Sequence, residues 1–233
     1  DEADSNDDGI SGRVNIIVNE QGDSRIGRFG WKASQVSLHN QLGRALSLDL
    51  GLGNPLFPSA IGDCTPAQQV CLDAPNGNSL HHDDLETNQL VLDLLLIYVR
   101  ELAQPAGLNS ASDSSPAEAG KNLFEKTGCA TCHVPNMSVE GVTIHPYSDL
   151  LLHDMGMGLA DALSEGDVAG HEWRTSPLWG LGKLDSEFLH DGRASSLHQA
   201  ILWHGGEAAA ARENYLGLQA SERNDLILFL NGL

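Results

Sequence analysis

The hydrophobic and polar positions along the chain recur mainly with the period of an α-helix. Apolar residues return three and four positions apart in several segments, and this spacing places them on one face of a helix. The predicted helices are 37–48, 83–103, 115–126, 196–203, 208–215 and 221–231. No segment shows a clear two-residue alternation, which is the signature of a half-buried strand. The pattern therefore predicts a mainly α protein.

Segments rich in glycine, proline and serine interrupt this helical pattern. The passage 51–58 combines glycines and prolines that break regular structure. The tract 109–116 is dominated by serine and small residues and is typical of a linker. We therefore expect an N-terminal extension, 1–110, that packs on a second domain, 111–233. Within that domain, 134–195 is predicted to be long and irregular.

The composition describes a strongly acidic chain. It has 32 acidic residues against 13 lysines and arginines, and a formal net charge of -19. Such a surface repels nucleic acid and anionic membranes and would attract a basic protein partner, although it equally suits solubility in salt. The longest apolar run, 90–99, contains Asp93 and is shorter than the roughly 18 residues of a membrane helix. We expect no nucleic acid ligand and no membrane span.

The strongest chemical motif is Cys-Ala-Thr-Cys-His, which runs from Cys129 to His133. Cys-x-x-Cys-His is the attachment signature of a c-type haem, whose vinyl groups bond to the two thiols and whose iron binds the imidazole. The alternative is a thioredoxin-like redox motif, but that motif occurs in a βαβ setting, which the pattern lacks. The sequence predicts one covalent haem c held by Cys129, Cys132 and His133.

The two remaining cysteines indicate the compartment. If Cys129 and Cys132 are bonded to a haem, Cys64 and Cys71 are left in an oxidising environment and most simply form a disulfide. A zinc site is disfavoured because their spacing is too long and a second ligand pair is missing. We expect a periplasmic or otherwise exported bacterial protein. Because Asp1 is neither a starting methionine nor part of a signal peptide, we also expect a processed product or a fragment.

The ligand on the other side of the iron must come from elsewhere in the chain. The candidates are Met137, His145, His153, Met155, Met157, His190, His198 and His204. Met137 follows His133 too closely to reach the opposite face of the ring. His204 shares one face of a predicted helix with Leu197 and Ile201, which favours it. A structural histidine in the core is the alternative for His204, and the histidines and methionines of the loops remain open.

The acidic N-terminus has the pattern of half a calcium loop. Asp4, Asn6 and Asp8 supply oxygen atoms at alternate positions, and Gly9 allows the turn. The acidic ligand expected at the twelfth position is replaced by Asn15. Two interpretations remain, a bound calcium ion and a merely solvated acidic segment.

Five longer motifs carry a family resemblance over nearly the whole chain. They are GRFGWKA (27–33), PYSDLLLHDMG (146–156), EWRTSPLWGLG (172–182), FLHDGR (188–193) and ILWHGGEA (201–208). They resemble the di-haem oxidoreductases, also called thiol oxidoreductase-like proteins. These are relatives of the bacterial di-haem cytochrome c peroxidases and of the enzyme that matures methylamine dehydrogenase.

The resemblance implies a partner for His133. In the bacterial peroxidases, a Phe-His-x-Gly segment of the second haem domain precedes the methionine ligand of the electron-transfer haem, which lies fourteen residues after its histidine. Here 188–192 occupies that segment with one residue inserted, and the fourteenth residue after His190 is His204. The resemblance implies a His133/His204 pair, with a methionine of 155–157 as the alternative.

The resemblance also implies a cytochrome c-like fold for 111–233, so that the whole is expected to be mainly α with a long N-terminal extension and large irregular loops. The relatives carry two haem domains, and peroxide normally meets the first. This chain has one Cys-x-x-Cys-His and resembles the C-terminal, electron-delivering half. We expect the first haem domain to have been removed or never present.

Two functions from different classes follow from these expectations. Two imidazoles would fill the iron coordination, and histidine in place of methionine lowers the reduction potential, so the first function is low-potential electron transfer with a redox protein partner. The alternative is a peroxidase or oxidoreductase with a labile or open sixth position. Arg174 and Arg193 are candidates to pair with haem propionates, with surface ion pairs as the alternative. Trp203 is a candidate to line the haem, with core packing as the alternative.

Overall fold

The computed structural model describes residues 2–18, 21–103, 115–184 and 187–233. The described backbone groups into two compact units. The unit that contains Cys129 to His133, here the CxxCH unit, is built from Asp1–Ile16, Trp31–Ser34 and Gln104–Leu233. The disulfide unit is built from Ile17–Gly30 and Gln35–Ala103. The predicted boundary between 110 and 111, with most of the predicted linker, lies outside the described residues.

The elements are short. The α-helices are α1 (Leu38–Leu48), α2 (Gln69–Leu72), α3 (Gln89–Arg100), α4 (Ser115–Lys126), α5 (Leu197–Leu202), α6 (Ala209–Gly217) and α7 (Ala220–Asn231). Single 3-10 turns lie at Leu80–His82, Cys129–Thr131, Leu181–Lys183 and Gly206–Ala208. The strands are β1 (Ile16–Val18), β2 (Ser24–Ile26), β3 (Met137–Val139), β4 (Val142–Ile144), β5 (Leu152–Asp154) and β6 (Glu172–Arg174). They pair as β1-β2, β3-β4 and β5-β6.

The prediction of a mainly α protein with a cytochrome c-like haem domain is wrong. In the described part of the chain, helices take up 36% of the residues and strands 12%, and several small sheets are present. This mixture of short elements does not show a cytochrome-like fold. The strands escaped prediction because each has three residues, fewer than an alternating pattern needs to be recognised. Four of them lie inside 134–195, which the sequence predicts as irregular.

Side-chain caps explain where the helices begin. Ser37 and Ser196 accept hydrogen bonds from backbone N–H groups of the first turns of α1 and α5. Asn88 does the same for α3, accepting from the N–H of Val91, so that helix begins at Gln89 and not at 83 as predicted. Before it, Asp83 has a φ of 59° and cannot continue a right-handed helix.

The core of the CxxCH unit forms where α4 packs on α7. Its buried residues are Leu123, Phe124, Phe188, Ala194, Leu197, Tyr215, Leu226, Phe229, Leu230 and Leu233. The rings of Phe124 and Phe229 lie with their centroids 5.5 Å apart. Gly120 allows this close packing, because a Cβ at that position would overlap the carbonyl oxygen of Asp225. The α4 helix leads directly into Cys129, so this packing also fixes the CxxCH segment.

The hairpin of β5 and β6 supplies a second wall of the same unit. The strands are antiparallel and pair His153 with Trp173. Directly opposed residues project from the same face of a sheet, so His153 and Trp173 lie on the same face of this hairpin. Arg13 extends the hairpin through a bridge to Leu152 and forms an ion pair with Glu172 at 2.6 Å.

The disulfide unit contains the bond between Cys64 and Cys71, which confirms the predicted pairing. Its α1 and α3 helices pack on each other, with Leu46 and Leu92 buried. In the described part of the chain, no helix combines the length and the apolar character that crossing a bilayer requires.

Candidate functional site

A cavity of about 490 Å³ lies in the CxxCH unit. Its volume is within the range of roughly 300–1,000 Å³ that small-molecule and cofactor sites occupy. Its wall is largely apolar and includes Leu159, Leu178 and Leu197. Both free cysteines, Cys129 and Cys132, lie on this wall.

The end of α4 positions the two thiols. Thr127 donates its hydroxyl to the carbonyl of Leu123 at 2.7 Å, and its oxygen lies 3.3 Å from the sulfur of Cys129. Gly128 follows with a φ of 91°, which turns the chain out of the helix at a conformation that suits glycine. Burial raises the pKa of the Cys129 thiol.

The His133 ring is fixed by a backbone acceptor. Its Nδ1 lies 2.9 Å from the carbonyl oxygen of Tyr147. A carbonyl oxygen only accepts hydrogen bonds, so Nδ1 carries the proton and Nε2 keeps its lone pair. Burial, followed by the nearness of His204, lowers the pKa of His133 to about 4. The ring is therefore neutral at physiological pH, and the lone pair on its Nε2 can bind a metal ion.

The His204 ring is fixed in the same way at the end of α5. Its Nδ1 donates to the carbonyl oxygen of Ala200 at 2.8 Å, which again leaves the lone pair on Nε2. Burial lowers the pKa of His204. The rings of His133 and His204 both line the cavity, with centroids 6.5 Å apart and planes inclined by 47°.

These residues fit a c-type haem. A metal ion binds an imidazole nitrogen at about 2.0–2.1 Å, so two rings that bind one ion from opposite sides would have centroids about 6.4 Å apart. The observed separation of the two rings is 6.5 Å. Two thiols adjoin one of these rings in the cavity wall, as covalent attachment through Cys-x-x-Cys-His requires.

His153 also lines the cavity, but both of its nitrogens are engaged. Its Nε2 lies 2.9 Å from Asp149 and its Nδ1 lies 2.7 Å from Glu207. Burial opposes a charge on this ring, but Asp149, the Cys132 thiol and Glu207 together raise the pKa of His153 to about 11. A doubly protonated ring offers no lone pair to iron.

The other predicted axial candidates divide by position. Met155 and His190 line the cavity, and the His190 ring stacks on Trp173 with a centroid distance of 3.7 Å. The remaining four do not line it: Met137 belongs to β3, His145 bonds to Asn136, Met157 is 80% exposed, and His198 bonds to the hydroxyl of Tyr215.

The structure separates the two predicted propionate partners. Arg174 lines the cavity, and burial lowers the pKa of its guanidinium. Arg193 is not among the described residues of the cavity wall. It pairs with Asp191, donates to the carbonyl of Gly158 at 2.6 Å, and lies over the ring of Trp203. Trp203 is also off the wall and is 41% exposed.

Sequence reasoning missed a second basic residue of the wall, Arg212, which bonds to Glu213. A signal for it was available. Ala208, Ala211 and Arg212 all line the cavity and recur at the spacing of one helical face, immediately after His204.

The predicted calcium ligands lie together in the N-terminal segment. The carboxylate of Asp4 accepts hydrogen bonds from the N–H groups of Asp8 and Gly9, and Asn6 donates to Asp8 at 2.8 Å. In the part of the chain that the structure describes, no group of three or more His, Cys, Asp or Glu residues could hold a metal ion. Calcium binding stays a prediction.

Comparison with known proteins adds the family. No curated protein matches the chain. The protein-family model described as "Di-haem oxidoreductase, putative peroxidase" matches residues 1–233. This match agrees with the predicted family and supports haem as the cofactor and a redox role. The chain belongs to the di-haem oxidoreductase family.

Proposed function

We propose that this chain is an electron-transfer protein with one covalent c-type haem, bound axially by His133 and His204. The observation that carries the proposal is the pair of neutral imidazoles that both line the cavity with centroids 6.5 Å apart. When bound, the haem supplies a one-electron Fe(III)/Fe(II) couple.

Each residue of the site has a part in this proposal. Cys129 and Cys132 would hold the haem through thioether bonds, and His133 and His204 would bind the iron through Nε2. The backbone carbonyls that accept from Nδ1 keep both rings in the required tautomer. With a haem held by both imidazoles, no open position would remain for peroxide, and histidine in place of methionine would favour a low potential.

The cavity wall supports the same function. This wall is largely apolar, which suits the apolar macrocycle of a haem. Arg174 and Arg212 are the arginines of the described wall, and guanidinium groups suit the carboxylates of haem propionates. We propose these two arginines as the propionate partners.

The partner and the compartment are proposed from charge and cysteine chemistry. A net charge of -19 favours a basic redox protein, or a second haem domain with a basic face. The bond between Cys64 and Cys71 is of a kind that persists in oxidising compartments. We propose a periplasmic or otherwise exported protein that resembles the electron-delivering half of a di-haem oxidoreductase.

The test uses holoprotein produced with a c-type haem maturation system. Intact mass and the haem spectrum count the covalent haems, and electron paramagnetic resonance reports the spin state. We expect one haem and a low-spin ferric signal that cyanide and peroxide leave unchanged. His204→Ala should become high-spin and bind cyanide.

The matched control is His198→Ala, since His198 bonds to Tyr215 and is not among the described residues of the cavity wall. It should keep the low-spin signal. A wild-type protein that is high-spin and reacts with peroxide would overturn the proposal in favour of a peroxidase at the His133-bound iron.

A further inference from the structure

Glu207 collects four hydrogen bonds at the edge of the cavity. Its carboxylate accepts from the backbone N–H and the hydroxyl of Ser11, at 3.0 and 3.2 Å, from the N–H of Asp154 at 3.2 Å, and from Nδ1 of His153 at 2.7 Å. The other nitrogen of His153 is bonded to Asp149. We call Asp149, His153 and Glu207 the carboxylate–imidazole cluster. Its side chains are 3–14% exposed.

One end of the cluster is attached to the haem-binding motif. The N–H of Asp149 donates to the carbonyl oxygen of Cys132 at 2.9 Å. Nδ1 of His153 lies 3.8 Å from the sulfur of the same cysteine. The cluster is therefore fixed relative to Cys132 and to His133, which follows it.

The other end of the cluster is attached to the second imidazole. Glu207 follows His204 by three residues, and only Gly205 and Gly206 lie between them. Gly206 packs so closely that a Cβ would overlap the carbonyl oxygen of Asp154, and a Cβ at Gly205 would lie 3.0 Å from the carbonyl oxygen of Met155. A move of Glu207 would therefore carry His204 with it.

We propose that Glu207 is a positioning residue for the second axial ligand. Through His153 and Asp149 it holds the His204 segment against the CxxCH segment, which keeps the His204 ring at the iron. This inference rests on the proposed His133/His204 pair. Without the carboxylate, four donors lose their acceptor, and the three hydrogen bonds that are partly buried cost most to lose because water replaces the acceptor least well there. The His204 segment then opens, and the sixth position becomes accessible to small ligands.

A purely structural role for Glu207 makes a different prediction. It would lower the stability of the whole unit without changing how fast a small ligand replaces His204. The two roles are therefore separated by measuring the rate of cyanide binding to the ferric holoprotein beside the free energy of unfolding.

The variants are Glu207→Ala, Glu207→Gln and the control Glu165→Ala, which removes an exposed carboxylate of the same unit. Glu207→Ala should bind cyanide at least about tenfold faster than wild type, the effect of one lost hydrogen bond to a charged group. Glu207→Gln keeps one oxygen acceptor and should lie between the two. Glu165→Ala should match wild type.

Three outcomes are decisive: the first refutes the proposed axial pair, and the other two refute the positioning role. A high-spin wild-type protein refutes the proposed axial pair itself. A low-spin wild type whose Glu207→Ala variant binds cyanide at the wild-type rate refutes the positioning role, even if that variant is less stable. If Glu207→Ala does not fold, the Gln variant decides, and a wild-type cyanide rate in that variant refutes the positioning role.

Discussion

Gly120→Ala tests whether the contact between α4 and α7 fixes the CxxCH unit. At a solvent-exposed position inside a helix, alanine is about 1 kcal/mol more favourable than glycine. At Gly120 the added Cβ would overlap the carbonyl oxygen of Asp225 and lie 2.7 Å from the Cβ of Phe229. A backbone oxygen cannot rotate away as a flexible side chain can, so the two helices must separate.

The expected magnitude follows from these opposing effects. Overpacking a dense core costs typically about 1–3 kcal/mol, and a clash with backbone belongs at the upper end. Separating the helices also loosens the contact between Phe124 and Phe229, which lie in the middle of the core. After subtracting the gain of about 1 kcal/mol in helix propensity, we expect a loss of about 2 kcal/mol in the free energy of unfolding.

The assay is urea unfolding of the holoprotein, followed by far-ultraviolet circular dichroism. Gly217→Ala is the matched control, because Gly217 also lies in a helix and its Cβ would meet nothing within 4 Å. The control should be unchanged or more stable by up to about 1 kcal/mol. A Gly120→Ala protein that unfolds at the same urea concentration as wild type, or at a higher one, would refute the argument from close helix packing.

Three further predictions concern other parts of the chain. Replacing Cys64 and Cys71 by serine should lower the free energy of unfolding by about 2–3 kcal/mol, from the entropy of the short closed loop, and a reductant should abolish the difference between variant and wild type in urea unfolding. Lys32→Met should lower the free energy of unfolding by about 3 kcal/mol, because the buried ammonium group donates to three carbonyl oxygens that would lose their partner. Thermal unfolding measures this loss, and an unchanged melting temperature would contradict it. The carboxylate–imidazole cluster should stabilise most between about pH 4.5 and 6.5. Burial opposes the imidazolium, yet Asp149, the Cys132 thiol and Glu207 raise the pKa of His153 to about 11, so this contribution is full below about pH 6.5 and is lost as the pH rises. The lowered pKa values of Asp149 and Glu207 contribute fully only above about pH 4.5. The unfolding free energy of wild type minus that of His153→Gln, measured from pH 4 to 9, should therefore fall above pH 6.5, and a flat difference would show that the cluster does not titrate in this way.

Local sequence signals were sufficient to predict α4, the helix that leads into Cys129. The bounds of α4 agree with the predicted 115–126, because Pro116 suits the first turn and Gly128 ends the helical conformation. The start of α3 was misplaced by six residues, since adjacent aspartates with positive φ, Asp83 and Asp84, leave no hydrophobic signature. The strands were missed for another reason, because three residues are too few to show a recognisable alternation.

The site shows a similar division between local and distant information. The prediction of Cys129, Cys132 and His133 rests on spacing alone, and the prediction of His204 rests on the apolar face of a helix that in the structure ends at Leu202. Glu207 and His153 lie 54 positions apart, and their hydrogen bond depends on a hairpin meeting a glycine turn. No periodicity records such a contact, so the sequence did not indicate the cluster.

Both candidate ligand rings are oriented by main-chain oxygens, those of Tyr147 and Ala200. A substitution that changes only the side chain at either position leaves the acceptor in place, so mutational scanning should tolerate many residues at 147 and 200 as far as the imidazole tautomers are concerned. A backbone carbonyl is also uncharged, so it draws the Nδ1 proton less strongly than a carboxylate would, and with the proposed haem bound each imidazole would be a weaker electron donor to iron. The fold itself would then set part of the electronic character of the proposed haem site, and that part would be protected from most point mutations.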